Sequence, residues 1–138
     1  MPDEHIQGVL DTSVVILRDR LLDPEMLPPV PLITAVTLAE LSVGPLVAAD
    51  EVERARRLSH LQQAEVDFNP LPFDAEAARV FGSVAASLRQ AGRKSAARGK
   101  DAMIGAIALA SRLPVYTCNA RDFEGIDGLE VVSVPVSA

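Results

Sequence analysis

Four short apolar runs limit what this chain can fold into more than any other feature of its sequence. They predict strands at residues 6–10, 32–36, 114–118 and 129–134. Their central residues do not alternate between polar and apolar, as those of a strand with one wet face would. Segments with a helical pattern separate the runs. The sequence therefore predicts an α/β fold whose mostly parallel sheet is covered by helices.

Helices connect the predicted strands. The helical segments are residues 37–43, 50–66, 74–90 and 101–112, and a proline-rich connector occupies residues 23–31. The run 32–36 could also continue directly into the helix that follows it. The clearest amphipathic segment is 50–66, whose apolar face comprises Val52, Ala55, Leu58, Leu61 and Ala64. In a parallel sheet of this kind, functional groups collect at the carboxyl ends of the strands.

Length and composition exclude several classes of protein. A chain of 138 residues, 49% of them hydrophobic, is expected to form one domain spanning residues 1–138. Cys118 is the sole cysteine, which excludes a disulfide scaffold. No apolar run is long enough to span a membrane, and the acidic start of the chain is unlike a signal peptide. We therefore expect a soluble, cytoplasmic protein.

The charge is unevenly distributed along the chain. A net charge of −6 argues by itself against a nucleic-acid-binding protein. However, no acidic residue lies between Glu76 and Asp101, and that segment carries six positive charges, so the rest must carry −12. The six basic residues are Arg79, Arg89, Arg93, Lys94, Arg98 and Lys100. The segment is either an ordinary solvated loop or a surface that holds a polyanion.

Acidic residues follow the predicted strands in a pattern that suggests a site. Asp11 comes directly after the first strand, Glu40 lies one turn into the helix after the second, and Asp122 follows the third. Strand ends and the starts of the following helices share one edge of a parallel sheet, so these three carboxylates should converge. Asp101 opens a helix, but the segment before it is not obviously a strand, so its place is less certain.

Helix capping is the competing interpretation of the same acids. Thr37 and Glu40 fit a capping box, Asp101 fits an N-cap, and Asn119 with Asp122 fits another capping arrangement. Each acid taken alone is better explained as a cap. Capping does not require four carboxylates at one sheet edge, however. Clustered carboxylates raise one another's pKa values unless a cation lies between them, so the set as a whole favours a metal site.

Four blocks of sequence resemble one known family over nearly the whole chain. They are VLDTSVVI (9–16), ITAVTLAELSVG (33–44), KDAMIGAIAL (100–109) and VYTCNARDFEGIDGLEV (115–131). In order and spacing they resemble the PIN-domain nucleases, and specifically the VapC toxins of bacterial type II toxin–antitoxin pairs. The resemblance implies a three-layer α/β/α PIN-like fold with a mostly parallel central sheet. It also implies that Asp101 lies at the same edge as the other acids.

The resemblance also implies an activity and a set of site residues. The family hydrolyses RNA as a metal-dependent endoribonuclease. Asp11 and Asp101 match its principal metal ligands, Glu40 its third acid and Asp122 its fourth. Polar positions beside the site that would orient water, ligand or phosphate are matched by Thr12, Thr117 and Asn119. Carboxylates without a His or Cys cluster suit Mg²⁺, with Mn²⁺ as a substitute, as one ion or two.

Expected partners follow from the same resemblance. VapC toxins typically form homodimers and bind a VapB antitoxin, and the helices 50–66 and 74–90 are candidate surfaces for it. The basic residues proposed to contact RNA are Arg93, Lys94, Arg98 and Lys100. One alternative is a non-catalytic PIN-like module that binds RNA or protein without cutting. Another is a phospho-acceptor receiver domain, which would need an acidic pair where Asp11 stands alone.

Overall fold

A parallel sheet forms the centre of the molecule. The computed structural model describes residues 6–93 and 98–137. Its strands are β1 (Gln7–Leu10), β2 (Val30–Leu32), β3 (Val115–Thr117) and β4 (Val131–Ser133). They lie in the order β2-β1-β3-β4, and every neighbouring pair is parallel. The mostly parallel sheet predicted from the apolar runs is therefore confirmed.

Five α-helices pack on this sheet in the described part of the chain. They are α1 (Thr12–Ile16), α2 (Ala35–Val43), α3 (Glu51–Asp67), α4 (Ala75–Gln90) and α5 (Gly99–Ala110). Thr34, Asp50 and Asp74 begin α2, α3 and α4 by accepting a backbone N–H bond in the first turn. No helix within residues 6–93 and 98–137 has the length and apolar character needed to cross a membrane.

The core divides into two clusters, one on each face of the sheet. Successive strand residues point to opposite faces. Val9 and Val115 accordingly pack with α4 and α5. Leu10 and Tyr116 pack on the other face with residues of α1, α2 and α3. Helices thus cover both faces of the sheet, and the expected three-layer α/β/α architecture is confirmed.

Two details differ from the sequence prediction. The second strand ends at Leu32 and α2 begins at Ala35, because the buried Thr34 caps the helix. The observed strand thus begins two residues before the predicted strand 32–36, and residues 35–36 belong to the helix. The apolar face predicted for α3 is largely uncovered, since Val52 is 81% exposed and Ala64 is the residue of α3 that is buried.

Gly8 in β1 allows the close approach of a neighbouring ring. A Cβ atom there would overlap Cε1 of Tyr116 and lie 3.1 Å from Cγ of Pro28. We expect Gly8→Ala to lower the free energy of unfolding by about 2 kcal/mol, because overpacking forces the core to shift. Urea denaturation would measure it.

Gly82 is the matched control, since a Cβ there would meet nothing within 4 Å in the middle of α4. Gly82→Ala should stabilise the protein by about 0.5–1 kcal/mol. A Gly8→Ala variant as stable as the unsubstituted protein would show that the ring contact is not tight.

Candidate active site

Asp11 is a buried carboxylate between the ends of two strands. It directly follows β1, is 3% exposed, and caps α1 by accepting the backbone N–H of Val14 at 3.1 Å. Ser13 Oγ donates to Oδ1 at 2.6 Å, and Thr117 Oγ1 donates to Oδ2 at 2.6 Å. Burial raises the pKa of Asp11, while these three donors lower it. Capping and site formation are thus compatible at this residue.

The two hydroxyls that hold Asp11 are themselves fixed by backbone. Ser13 Oγ accepts the N–H of Cys118 at 3.0 Å, and Thr117 Oγ1 accepts the N–H of Asn119 at 3.0 Å. Each hydroxyl therefore has its proton committed to the carboxylate and a lone pair committed to the chain after β3. The carboxylate orientation is set by the junction of β1 and β3 rather than by solvent.

Glu40 is held by a hydroxyl from the neighbouring helix. Thr12 Oγ1 donates to its Oε1 at 2.7 Å, and Nζ of Lys100 lies 4.0 Å from its Oε2. The capping-box interpretation of Thr37 and Glu40 is wrong, because α2 begins earlier and Thr34 is its N-cap. The Glu40 side chain therefore has no N-capping role in α2 and contacts Thr12 of α1 and Lys100 at the start of α5.

Asp122 lies in a 3-10 turn, Ala120–Phe123, that follows β3. Its Oδ1 accepts from Asn119 Nδ2 at 3.2 Å and from a guanidinium nitrogen of Arg98 at 3.4 Å. Asn119 occupies the N-cap position of this turn, but its side chain makes no capping hydrogen bond. The amide is directed instead at the carboxylate of Asp122.

Asp101 connects the four acids electrostatically. It is the third residue of α5 rather than its N-cap, which is Arg98. Its pKa is raised to about 6, first by burial and then by the charges of Asp122, Asp11 and Glu40, against the opposing effect of Arg98. Asp101 therefore lies within electrostatic reach of each of the three other predicted acids.

The donor set fits a hard divalent cation that keeps its waters. Within residues 6–93 and 98–137, no three His, Cys, Asp or Glu side chains already form a group that could hold a metal ion. Mg²⁺ usually takes only one or two carboxylates directly and retains several waters. Oxygen donors without a His or Cys cluster favour such an ion over zinc, whereas repulsion between carboxylates favours any divalent cation.

The predicted RNA-contacting cations fall into two groups. Arg98 and Lys100, at the start of α5, each pair with a site acid. Arg93 instead donates to the backbone carbonyl of Arg121 at 2.9 Å and lies 3.6 Å from Glu124, so it holds the turn after β3. Lys94 lies outside the described residues.

Two hydroxyl residues near the acids were not predicted as site residues. Ser13 bridges Asp11 and the backbone after β3, and Thr37 lies 3.0 Å from Thr12 between their hydroxyl oxygens. Both belong to the sequence blocks that carry the acids, at positions two after Asp11 and three before Glu40. Their closeness in sequence to Asp11 and Glu40 could have indicated a role in the site, but hydroxyl residues at these spacings also fit helix capping.

Burial and the neighbouring acidic charges raise the pKa of Asp101, and this shift makes the stability of the metal-free protein depend on pH. Because folding raises the pKa of Asp101 to about 6 from 3.8, ionised Asp101 destabilises the fold increasingly as pH rises through this range. A shift of this size corresponds to at most about 3 kcal/mol, and solvent screening reduces it. In EDTA at pH 7.5, Asp101→Asn should therefore be about 1 kcal/mol more stable than the unsubstituted protein.

The gain should be smaller at pH 5, where Asp101 is largely protonated in the folded state. Thermal melts of both proteins at the two pH values would measure this difference. A variant that is equally stable, or less stable, at pH 7.5 would show that burial and the neighbouring carboxylates do not destabilise ionised Asp101.

Comparison with known proteins identifies relatives of this chain. A family profile of the PIN domain matches residues 8–129. Ribonuclease VapC5 of Mycobacterium tuberculosis (strain ATCC 25618 / H37Rv) is 41% identical over 129 residues, covering 92% of this chain and 93% of that protein. Ribonuclease VapC of Rickettsia bellii (strain RML369-C) is 31% identical over 104 residues, covering 75% and 76%.

Solved structures show the same fold. The crystal structure of a member of the VapBC family of toxin–antitoxin systems, VapBC-5 from Mycobacterium tuberculosis, superposes with a TM-score of 0.82 at 38% identity, covering 94% of this chain and 100% of that one. FitAcB from Neisseria gonorrhoeae gives 0.72 at 25% identity, covering 90% and 95%. The resemblance seen in the sequence blocks is confirmed, and this chain belongs to the PIN-domain family.

Proposed function

We propose that this protein is a divalent-metal-dependent endoribonuclease that acts as the toxin of a type II toxin–antitoxin pair. The observation that carries the proposal is the position of Asp101 at the start of α5, where Arg98 and Lys100 of the same turn pair with Asp122 and Glu40. Burial and the charges of the three other acids raise the pKa of Asp101 to about 6, which agrees with this placement. Neighbouring like charges with perturbed pKa values are typical of functional sites, and a cation would relieve their repulsion. The relatives named Ribonuclease VapC support the activity.

The four acids would hold Mg²⁺, with Asp11 and Asp101 as its principal ligands and Glu40 and Asp122 completing the set. The bound ion would supply a water of lowered pKa and would offset charge on the scissile phosphodiester. Thr117 and Ser13 would hold the Asp11 carboxylate in a fixed orientation. Asn119 orients Asp122, and Thr12 orients Glu40.

Arg98 and Lys100 are the described cations best placed to contact RNA. Both project from the start of α5, beside Asp101, and each faces one of the site acids. A phosphate next to the site would compete for these guanidinium and ammonium groups. The side chain of Lys100 is 72% exposed, so it can contact the backbone of an RNA strand at the protein surface. Arg93 remains a candidate for a more distant phosphate contact, and Lys94 remains a candidate RNA contact from the sequence alone.

The test of the activity is RNA cleavage by the purified protein with and without a divalent cation. We expect cleavage of structured RNAs in Mg²⁺ or Mn²⁺, loss in EDTA and recovery when the cation is restored. Products should carry 5′-phosphate ends, which a 5′-phosphate-dependent exonuclease would detect. Binding of RNA without any cleavage under all metal conditions would instead support a non-catalytic RNA-binding module.

An antitoxin and a second copy of the chain are the proposed protein partners. The neighbouring solved structures include VapBC toxin–antitoxin complexes. Exposed apolar side chains at the junction of α2 and α3 form a candidate contact surface: Val43, Leu46, Val47 and Val52, exposed by 52%, 84%, 65% and 81%. Leu46→Asp should reduce co-purification with a co-expressed VapB-type antitoxin while leaving cleavage intact. Light scattering of the isolated protein would test the homodimer.

A further inference from the structure

The hydroxyl of Thr37 is a buried polar group that the proposed chemistry does not use. Thr37 is the third residue of α2 and has no exposed surface. Its Oγ1 lies 3.0 Å from Thr12 Oγ1, and Thr12 Oγ1 lies 2.7 Å from Glu40 Oε1. A buried hydroxyl without a hydrogen bond lowers the stability of the fold. The contact with Thr12 gives the Thr37 hydroxyl its hydrogen-bond partner.

The direction of these hydrogen bonds follows from the number of protons. Thr12 Oγ1 donates to Glu40 Oε1, so the single hydroxyl proton of Thr12 is committed to that bond. Thr12 then has only lone pairs to offer at its other contact. Thr37 is therefore the donor there, and the order of donation runs from Thr37 to Thr12 to Glu40.

We propose that Thr37 is a positioning residue for Glu40 and acts through Thr12. The inference rests on the proposed function, in which Glu40 belongs to the metal and substrate site. The bond from Thr37 fixes the rotamer of Thr12 and polarises its hydroxyl, which strengthens the bond to the carboxylate. Without it, the Thr12 hydroxyl can rotate away, and Lys100, 4.0 Å from Oε2, can draw Glu40 outward.

Thr37→Val is the first test, because valine keeps the shape of threonine and removes only the hydroxyl. We expect kcat for RNA cleavage to fall about 10-fold with little change in KM, and the Mg²⁺ concentration for half-maximal rate to rise, as for other residues that orient a ligand. Thr37→Ser keeps the hydroxyl and should restore most of the rate. Thr37→Ala, which cannot clash, is measured in parallel in case valine does not fold.

Thr34→Val is the matched control within the same helix. Thr34 is equally buried, and its hydroxyl accepts the backbone N–H of Thr37 at 3.3 Å without touching Thr12 or Glu40. Losing this cap should lower the melting temperature by about 4 °C. Cleavage well below that temperature should be unchanged. Stability and kcat are thus expected to separate between the two substitutions.

A double substitution tests whether Thr37 works through Thr12. Once Thr12→Val has removed the intermediate hydroxyl, adding Thr37→Val should reduce kcat by less than about twofold further. Independent, multiplying losses would overturn the proposal, as would wild-type cleavage by both Thr37→Val and Thr37→Ala.

Glu40→Gln separates failure of this inference from failure of the proposed function. If Glu40→Gln loses cleavage while Thr37→Val and Thr37→Ala do not, only the role of Thr37 is wrong. If Glu40→Gln cleaves at the wild-type rate, the assigned site itself is wrong, and the positioning role falls with it.

Discussion

Asp101→Asn should reduce RNA cleavage by more than about 100-fold. Substituting a residue that merely orients a metal ligand already reduces activity about 10–100-fold, and Asp101 is proposed to be a ligand itself. Asp101 lies within the combined field of Asp11, Glu40 and Asp122, so a cation bound among them would offset its charge. Asparagine keeps the size of the side chain and removes its charge. The measurement is the cleavage rate of a labelled RNA at saturating Mg²⁺.

The expected gain in stability makes this substitution unusually informative. If Asp101→Asn is both inactive and more stable, unfolding cannot explain the loss of cleavage. Glu65→Gln, an exposed acid on α3, is the matched control and should cleave at the wild-type rate. Normal cleavage by Asp101→Asn in Mg²⁺ would contradict the assignment of the site.

Thr117→Val should lower the free energy of unfolding by about 2 kcal/mol and reduce cleavage as well. Thr117 has no exposed surface and donates to Asp11 Oδ2 at 2.6 Å, while accepting the N–H of Asn119. Valine would leave a buried carboxylate oxygen and a backbone N–H without their partner, and such groups cost about 1–3 kcal/mol. Urea denaturation in EDTA would measure the change without any contribution from metal binding.

Thr117→Ser is the control for this second prediction, since serine keeps the hydroxyl and loses only a methyl group. It should recover most of the stability and most of the cleavage. Equal stability of Thr117→Val and the unsubstituted protein would show that solvent, rather than Thr117, satisfies Asp11.

The layout of the sheet and the positions of three acids could be predicted from sequence. Non-alternating apolar runs predict strands buried on both faces, and the topology of such a sheet brings Asp11, Glu40 and Asp122 to one edge. The position of Asp101 is harder to predict, because the segment before it does not have an obvious strand pattern. The short loop 111–114 between α5 and β3 is the feature that could have placed Asp101. A helix that joins a strand by a short loop runs antiparallel to that strand. The start of α5 therefore lies where β3 ends.

The hydrogen bonds within the site could not be predicted from sequence. Asp11 is both a helix cap and a site residue, so the pattern around it satisfies both interpretations. The functions of Ser13 and Thr37 depend on contacts across elements, Ser13 with the chain after β3 and Thr37 with α1. The apolar face of α3 was equally ambiguous, since its pattern does not say whether this chain or a partner covers Val52.

The most direct measurement of a divalent-cation site is the anomalous scattering of crystals grown with Mn²⁺. The four converging acids predict a strong anomalous peak in contact with carboxylate oxygens of Asp11 and Asp101, and loss of that peak in Asp101→Asn. Full Mn²⁺ saturation with no peak near these carboxylates, or a peak that persists in Asp101→Asn, would contradict the proposed site.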